Sequence, residues 1–402
     1  MTPSQRRSLH VQSLRQPPRG QVDVIGLRRL RILFCVWNYF PAPAGGAERQ
    51  ARLQAEELAR RGHEVTVVCP RHDRLPSGTI GGVDVRRLPR LQRRPLSRIT
   101  YLISLVAFVA ANVRRFDLVH VHQANVHADL VVPLARLARR PTYVKVACGG
   151  SVGEIARLRK MAQVTRWIGM RLAHRVQALS DEIASELRSI KIKQNRIVEI
   201  ANGIDLDGFG TARPEEKLEL RRRLDLPPKS VVVLYAGRFA RYKGLADLLA
   251  VWRARSRGGA TLVLVGSAAV DAPIGKIQPA PDLIVRDWTN SIRDYLQAAD
   301  VFVYPSYADG MSNALMEAMA CGLACVASCS GATSALITDG ESGLLFAPGD
   351  RDALAVALHR AVGDVSLRAR LGRTGLHAIR RFSIENVVTD IENCYAELLK
   401  TG

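Results

Sequence analysis

The chain has 402 residues, 47% of them apolar, with a mean hydropathy near zero; this is enough for two ordinary domains and excludes a disordered chain. Its formal charge of +21 arises entirely in the first half, where residues 1–200 carry 35 Lys and Arg against 14 Asp and Glu, while residues 201–402 carry 23 of each. A basic half calls for an anionic partner, either a membrane surface, a phosphorylated acceptor or nucleic acid; nucleic acid is disfavoured by 5% aromatics and by the lack of any zinc-finger or RNP-like pattern. A generically Arg-rich proteome is the plain alternative.

Residues 1–28 read as a mobile basic tail without the apolar core of a signal peptide. From residue 29, short apolar runs alternate with amphipathic ones. RILFCVW (31–37), EVTVVC (64–69), DLVHVH (117–122), TYVKVAC (142–148), RVQALS (175–180) and RIVEIAN (196–202) are strand-like, whereas AERQARLQAEELARRG (47–62) has helical spacing. ITYLISLVAFVAANV (99–113) is short for a membrane span; it reads as a core helix, with a membrane-surface helix as the alternative.

Residues 202–230 are polar and turn-rich, with a surface helix expected in PEEKLELRRRLDL. A second series follows: VVVLYAG (231–237), TLVLVG (261–266), DLIVRD (282–287), VFVYPS (301–306), ACVAS (324–328) and GLLFAP (343–348). The last segment, FSIENVVTDIENCYAELLK (382–400), is an amphipathic helix placed to cross back onto the first domain. The expected fold is therefore α/β, with two doubly wound Rossmann-like domains facing across a cleft, 29–203 plus the crossover helix 383–402, and 204–382. The seven cysteines form no CxxC pair and read as small residues in a reducing compartment.

Three stretches carry chemistry. After the first strand, NYFPAPAGGAERQ (38–50) puts Gly45 and Gly46 before a helix, where a backbone N–H can approach an anion; it matches neither a dinucleotide nor a P-loop pattern. After the first strand of the second series, AGRFARYKGLADLL (236–249) puts Arg238 and Lys243 where both can meet one pyrophosphate, unless the loop is simply solvated. YPSYADGMSNALMEAMACG (304–322) places Asp309 before a helix and Glu317 two turns into it. Eight residues at 3.6 per turn return to nearly the same face, so both acids can address a ligand at the helix N-terminus; a Glu on a solvated face fits the stretch equally. His120 and His122 lie two apart on one strand face, which permits metal chelation, as does DLD (205–207).

The ordered set GGAERQ, RVQALS, NGID, GRFARYKG, AADVFVYPS, DGMSNALMEAMACG and DGESGLLFAPGD resembles the retaining GT-B glycosyltransferases of family four, over residues 30–400. The resemblance implies transfer from a nucleotide-sugar donor without a metal or other cofactor. Arg238 and Lys243 are then expected on the donor diphosphate, Glu317 on the ribose, and Asp309 on the donor sugar. Backbone amides of Met311, Ser312, Asn313 and Ala314 are expected on sugar and phosphate, Gly46 closes from the other domain, and LIVRDW (283–288), with Arg286, flanks the base. His120, His122, Cys148 and Gly149 fall on the acceptor side, and DLD falls in the inter-domain segment rather than on a metal. Two departures stand out: Asp309 is a methylene shorter than the family's Glu, and Cys148 stands where many relatives have His, with the Gly149–Ser151 amides, Lys145 or Glu154 as candidate substitutes. The resemblance implies a UDP-sugar in preference to a GDP-sugar. The acceptor expected from the charge is a polyprenyl-diphosphate-linked saccharide at the cytoplasmic membrane face, and the rival is a non-catalytic binding protein on a decayed transferase fold.

Overall fold

The computed structural model describes residues 28–401 except 43, 44, 73, 74, 92, 94, 95, 151, 152, 157–166, 255–258, 268–276, 278 and 279. The tail read at 1–28 thus lies, but for Arg28, outside the described residues, as does Ser151. Two sheets carry the architecture. The first comprises β1 (Arg31–Cys35), β2 (Glu64–Pro70), β3 (Gly78–Ile80), β4 (Val83–Leu88), β5 (Leu118–Val121), β6 (Thr142–Lys145), β7 (Arg175–Ala178) and β8 (Ile197–Glu199), in the spatial order β3-β4-β2-β1-β5-β6-β7-β8. The second comprises β9 (Val231–Ala236), β10 (Ala260–Val265), β11 (Leu283–Arg286), β12 (Val301–Tyr304), β13 (Ala324–Ser328) and β14 (Leu344–Phe346), in the order β11-β10-β9-β12-β13-β14. The named strands pair in parallel except β3 with β4, an antiparallel edge hairpin. This is the doubly wound α/β class expected from the alternating pattern.

The sequence dictates this locally. All four residues of β5 and of β12 are buried, as befits strands covered by helices on both faces. Helices begin at side-chain caps: the Asn125 amide oxygen accepts the His127 N–H at 2.9 Å, and the Asp350 carboxylate accepts the Ala353 N–H at 2.8 Å. The surface helix Pro214–Arg223 starts on proline and is pinned to the second sheet by Lys217 and Arg221, which meet Asp300 at 2.7 and 2.6 Å.

The chain passes between the two sheets at one place. Ile204 N–H donates to Phe382 O at 2.9 Å and Ile384 N–H to Ile204 O at 2.8 Å, so the outward and return crossings lie side by side. The closing helix Ile384–Thr401 then buries Ile384, Val388, Ile391 and Tyr395 in one cluster with Ile32, Phe34 and Val67 of the first sheet.

The helix Leu96–Asn112 corrects the core-helix expectation. Its Tyr101, Leu105 and Val109 stripe is buried, but Ile99 and Ile103 on the other side are 53% and 62% exposed. A stripe at i, i+4, i+8 covers only one face of a helix that is apolar nearly all round.

In each sheet the strand order reverses once, between β1 and β5 and between β9 and β12. Crevices beyond the carboxyl ends of the strands at such reversals are where open α/β sheets bind ligands.

Candidate active site

At the second reversal the loops after β9 and β12 lie against each other. Tyr307 N–H donates to Tyr242 O at 2.8 Å. Gly244, at φ +68°, is the left-handed residue ending the turn Arg241–Lys243, and a Cβ on it would fall 1.8 Å from Pro305 O. This proximity lets Lys243 form an ion pair with Asp309. The Tyr304 hydroxyl also donates to Asp309, and the Gly310 N–H reaches its Oδ1 at 2.9 Å. Burial alone would raise the Asp309 pKa, but Lys243, Tyr304 and the Gly310 amide hold it below the usual carboxylate range. The Tyr304 hydroxyl, buried and facing that carboxylate, is pushed well above its ordinary value. Asp309 lines a cavity of about 420 Å³, closed on the first-sheet side by Gly150 and Glu182 and on the second by Tyr307, Ser330 and Gly331.

The helix Asn313–Ala320 begins four residues after Asp309 and lines a second, smaller void. Ser312 caps it, accepting the Leu315 N–H at 3.3 Å. Around its first turn the two lobes are joined: Asn313 Nδ2 donates to Gly46 O at 3.0 Å, Gln50 Nε2 to Asn313 Oδ1 at 3.0 Å, and Asn202 Nδ2 to Met311 O at 3.1 Å. Lys145, fully buried, donates to Asn202 Oδ1 at 2.8 Å, and burial lowers its pKa to about 7. One turn further on, the buried Glu317 meets Arg49 Nη1 at 2.7 Å across the seam. Burial pushes Glu317 up to about 7, with Arg49 acting in the opposite direction. A void of only about 40 Å³ remains there, lined by Arg49, Gln50, Gly203, Phe209, Asn313 and Glu317 among others.

The site residues read from the sequence are thus only partly brought together. Lys243 and Asp309 meet, whereas Glu317 lines a different cavity on the far side of the helix N-terminus, opposite Arg49. Arg238 is exposed and donates to the Tyr242 hydroxyl at 2.7 Å; like Lys243, it lines neither cavity. Gly45 gives its N–H to Glu48 at 3.0 Å, and Gly46 closes on the second lobe through its carbonyl rather than its N–H. Ala314 follows Asn313 in the first helical turn.

One expectation needs correction, and two further residues make contacts away from both cavities. His120 and His122 do not line the cleft but lie inside the first lobe, because β5 is a central strand covered on both faces. His120 Nδ1 meets the Tyr395 hydroxyl at 2.6 Å and its ring lies 4.3 Å from Phe34, while His122 sits beside the backbone of Ala47. Burial, reinforced by the Lys145 charge, holds both imidazoles well below the usual histidine range. Arg286 turns to the connector, meeting Asp225 at 3.6 Å and Leu224 O at 3.5 Å, instead of facing either cavity. Cys148 is half-buried and lines neither cavity, while Glu154 accepts the Ala147 and Cys148 N–H groups at 3.0 and 2.8 Å, which stiffens the turn leading to Gly149 and Gly150.

Arg49, Gln50, Asn202, Tyr304 and Glu182 were not singled out from the sequence, although the first three stand in GGAERQ and NGID. Among the described residues no cluster of three or more His, Cys, Asp or Glu is placed to hold a metal ion. Asp205 of DLD instead accepts the Gly208 N–H at 2.8 Å.

Two family models match the chain, one described as Glycosyltransferase Family 4 over residues 44–208 and one as Glycosyl transferases group 1 over residues 230–364. An uncharacterised glycosyltransferase of Methanocaldococcus jannaschii is 23% identical over 391 residues, which is 91% of this chain and 98% of that protein. The putative teichuronic acid biosynthesis glycosyltransferase TuaC of Bacillus subtilis is 28% identical over 76% of this chain and 82% of its own length. The crystal structure of Anabaena HepE in complex with UDP-glucose, 20% identical, superposes with a TM-score of 0.74 over 92% of this chain and 100% of that one. The two models meet at the connector between the sheets, one on each lobe, so the matches follow the architecture just described. The chain belongs to the group 1, family four glycosyltransferases, nucleotide-sugar-dependent retaining enzymes of the GT-B fold.

Proposed function

We propose that the protein moves a hexosyl or N-acetylhexosaminyl unit from a UDP-sugar to a hydroxyl of a lipid-linked saccharide, in the synthesis of a cell-surface polysaccharide or glycolipid. The observation that carries this is Asp309, which lines the cavity of about 420 Å³ beyond the carboxyl ends of β12, β13 and β14, pairs with Lys243 and stands four residues before the helix Asn313–Ala320. A sugar diphosphate needs a cation, free backbone N–H groups and a hydroxyl acceptor within one small space. Lys243 and the helix amides would take the diphosphate, with Arg238 reaching in from the preceding loop; each charge-assisted hydrogen bond contributes about 1.5–3 kcal/mol. Asp309 would accept from a sugar hydroxyl, and Glu317 from the ribose.

Asp309 already accepts from Lys243, Tyr304 and Gly310, so it acts as an acceptor of hydrogen bonds, not as a nucleophile. The departing diphosphate would then take the acceptor's proton on the face it leaves, without a metal. UDP is supported by HepE, whose structure holds UDP-glucose, and a surface polymer by TuaC, whose name places it in teichuronic acid biosynthesis.

The acceptor would enter past Gly150 and Glu182 of the basic first lobe. That lobe carries the exposed Leu96, Ile99 and Ile103, with exposed Arg93, Arg98, Arg114 and Arg115 around them. The run Leu96–Arg115 is long and apolar enough to cross a bilayer, yet its Tyr101, Leu105 and Val109 are packed into the lobe. It would therefore lie on the cytoplasmic face, where each basic group near anionic lipid adds about 1 kcal/mol.

Thermal unfolding with UDP-, GDP- and ADP-sugars, followed by assay of nucleotide release, tests the reading, since a bound donor stabilises the folded state. Stabilisation by a UDP-sugar with slow UDP release is expected. Stabilisation without turnover would make this a binding protein, and a preference for GDP-sugars would overturn the base.

A further inference from the structure

We infer that Arg49 is a latch on the donor site: it holds the carboxylate that the donor's ribose needs, and it must let go before the donor can seat. This rests on the reading of Glu317 as the ribose acceptor. The two residues come from opposite lobes, and Arg49 Nη1 lies 2.7 Å from Glu317 Oε1. The remaining void of about 40 Å³ has room for a water or two but not for a ribose ring.

The two partners are unequal. The Arg49 side chain is 40% exposed and its guanidinium rests over Phe209 at 5.3 Å, so it can turn to solvent at little cost. The Glu317 side chain is 4% exposed on the buried face of its helix and has no such outlet. When Arg49 leaves, a buried carboxylate is stranded, which holds the latch shut until another donor of hydrogen bonds arrives. The two hydroxyls of a ribose are such a donor. The exchange thus couples nucleotide arrival to release of one contact between the lobes, while the Gln50 bonds to Gly203 O at 2.7 Å and to Asn313 at 3.0 Å do not involve Glu317.

The test is calorimetric titration of UDP into the full chain at pH 8, for the wild type, Arg49→Gln, Glu317→Gln and the double variant. Thermal unfolding of each without nucleotide checks the fold, and Arg49→Lys serves as a milder second variant. Arg49→Gln is expected to bind UDP about three- to tenfold more tightly, as for a site otherwise open in roughly a tenth to a third of molecules. Glu317→Gln, which also releases the latch, is expected to bind more weakly than Arg49→Gln, and Arg49→Gln to have no effect in that background. Unchanged or weaker binding by Arg49→Gln, with Glu317→Gln still the weaker, overturns the latch and leaves the donor reading standing. Affinity in Glu317→Gln equal to that in Arg49→Gln overturns the donor reading and the latch with it.

Discussion

Lys243 and Asp309, 66 residues apart, form an ion pair across the gap between β9 and β12, at the point where the second sheet reverses its strand order. The pair places a cation with a defined direction at the mouth of a crevice. Lys243→Met removes that charge from the developing diphosphate and is expected to lower kcat/KM by roughly 10²–10³-fold. Arg238 is exposed and bonded only to the Tyr242 hydroxyl, whereas Lys243 is largely buried against Asp309, so Arg238→Met is expected to cost less, about tenfold. Steady-state kinetics on both variants checks the order; an Arg238 effect larger than that of Lys243 would mean the loop rearranges.

Glu317 gives a pH signature. Its folded pKa of about 7 lies above the ordinary 4.5, so the folded protein holds a proton that the unfolded chain has lost. Stability therefore falls as pH rises from about 4.5 to 7. Glu317→Gln lacks this loss: the two proteins should be alike at pH 4, with the variant the more stable at pH 8 by about 1–3 kcal/mol. Urea unfolding at both pH values measures it, and parallel curves would mean that Arg49 keeps Glu317 ionised throughout.

How much of this was legible follows from what each signal depends on. The six strands of the second sheet stand out because each is a short apolar run with no competing pattern. The β3–β4 hairpin was not, since β3 has only three residues at the sheet edge and the apolar pattern of β4 is interrupted by Asp84, Arg86 and the buried Arg87. Lys243 and Asp309 were found because each follows a strand at a loop whose place in the topology is fixed. The histidines misled because their spacing on β5 says that they share a face but not that Tyr395 of the closing helix covers it. Arg49 was invisible as a partner of Glu317, because their meeting depends on how the two lobes close.

Closure itself can be probed at Gly310. A Cβ there would fall 2.2 Å from Ala147 O in the first lobe. Gly310→Ala is expected to force the lobes apart, destabilising the protein by about 1–3 kcal/mol and reducing turnover further. Gly210→Ala, with nothing within 4 Å of its Cβ, is the control. Equal thermal unfolding of the two would show that the seam gives way without cost.

Membrane attachment should depend on the exposed ridge. Ile99→Ser with Ile103→Ser removes apolar groups that are 53% and 62% exposed, so folding is expected to be unaffected. Flotation with anionic vesicles is expected to drop severalfold, and retention of the wild type to weaken with salt. Retention of the variant equal to wild type would place any attachment elsewhere.

The most direct measurement is a crystal structure with a non-hydrolysable UDP-sugar. The expected result is a diphosphate within hydrogen-bond distance of Lys243 Nζ and the first-turn amides of the helix Asn313–Ala320, with the sugar against Asp309. A nucleotide bound away from the β9/β12 crevice, with the Lys243–Asp309 pair untouched, would contradict the account.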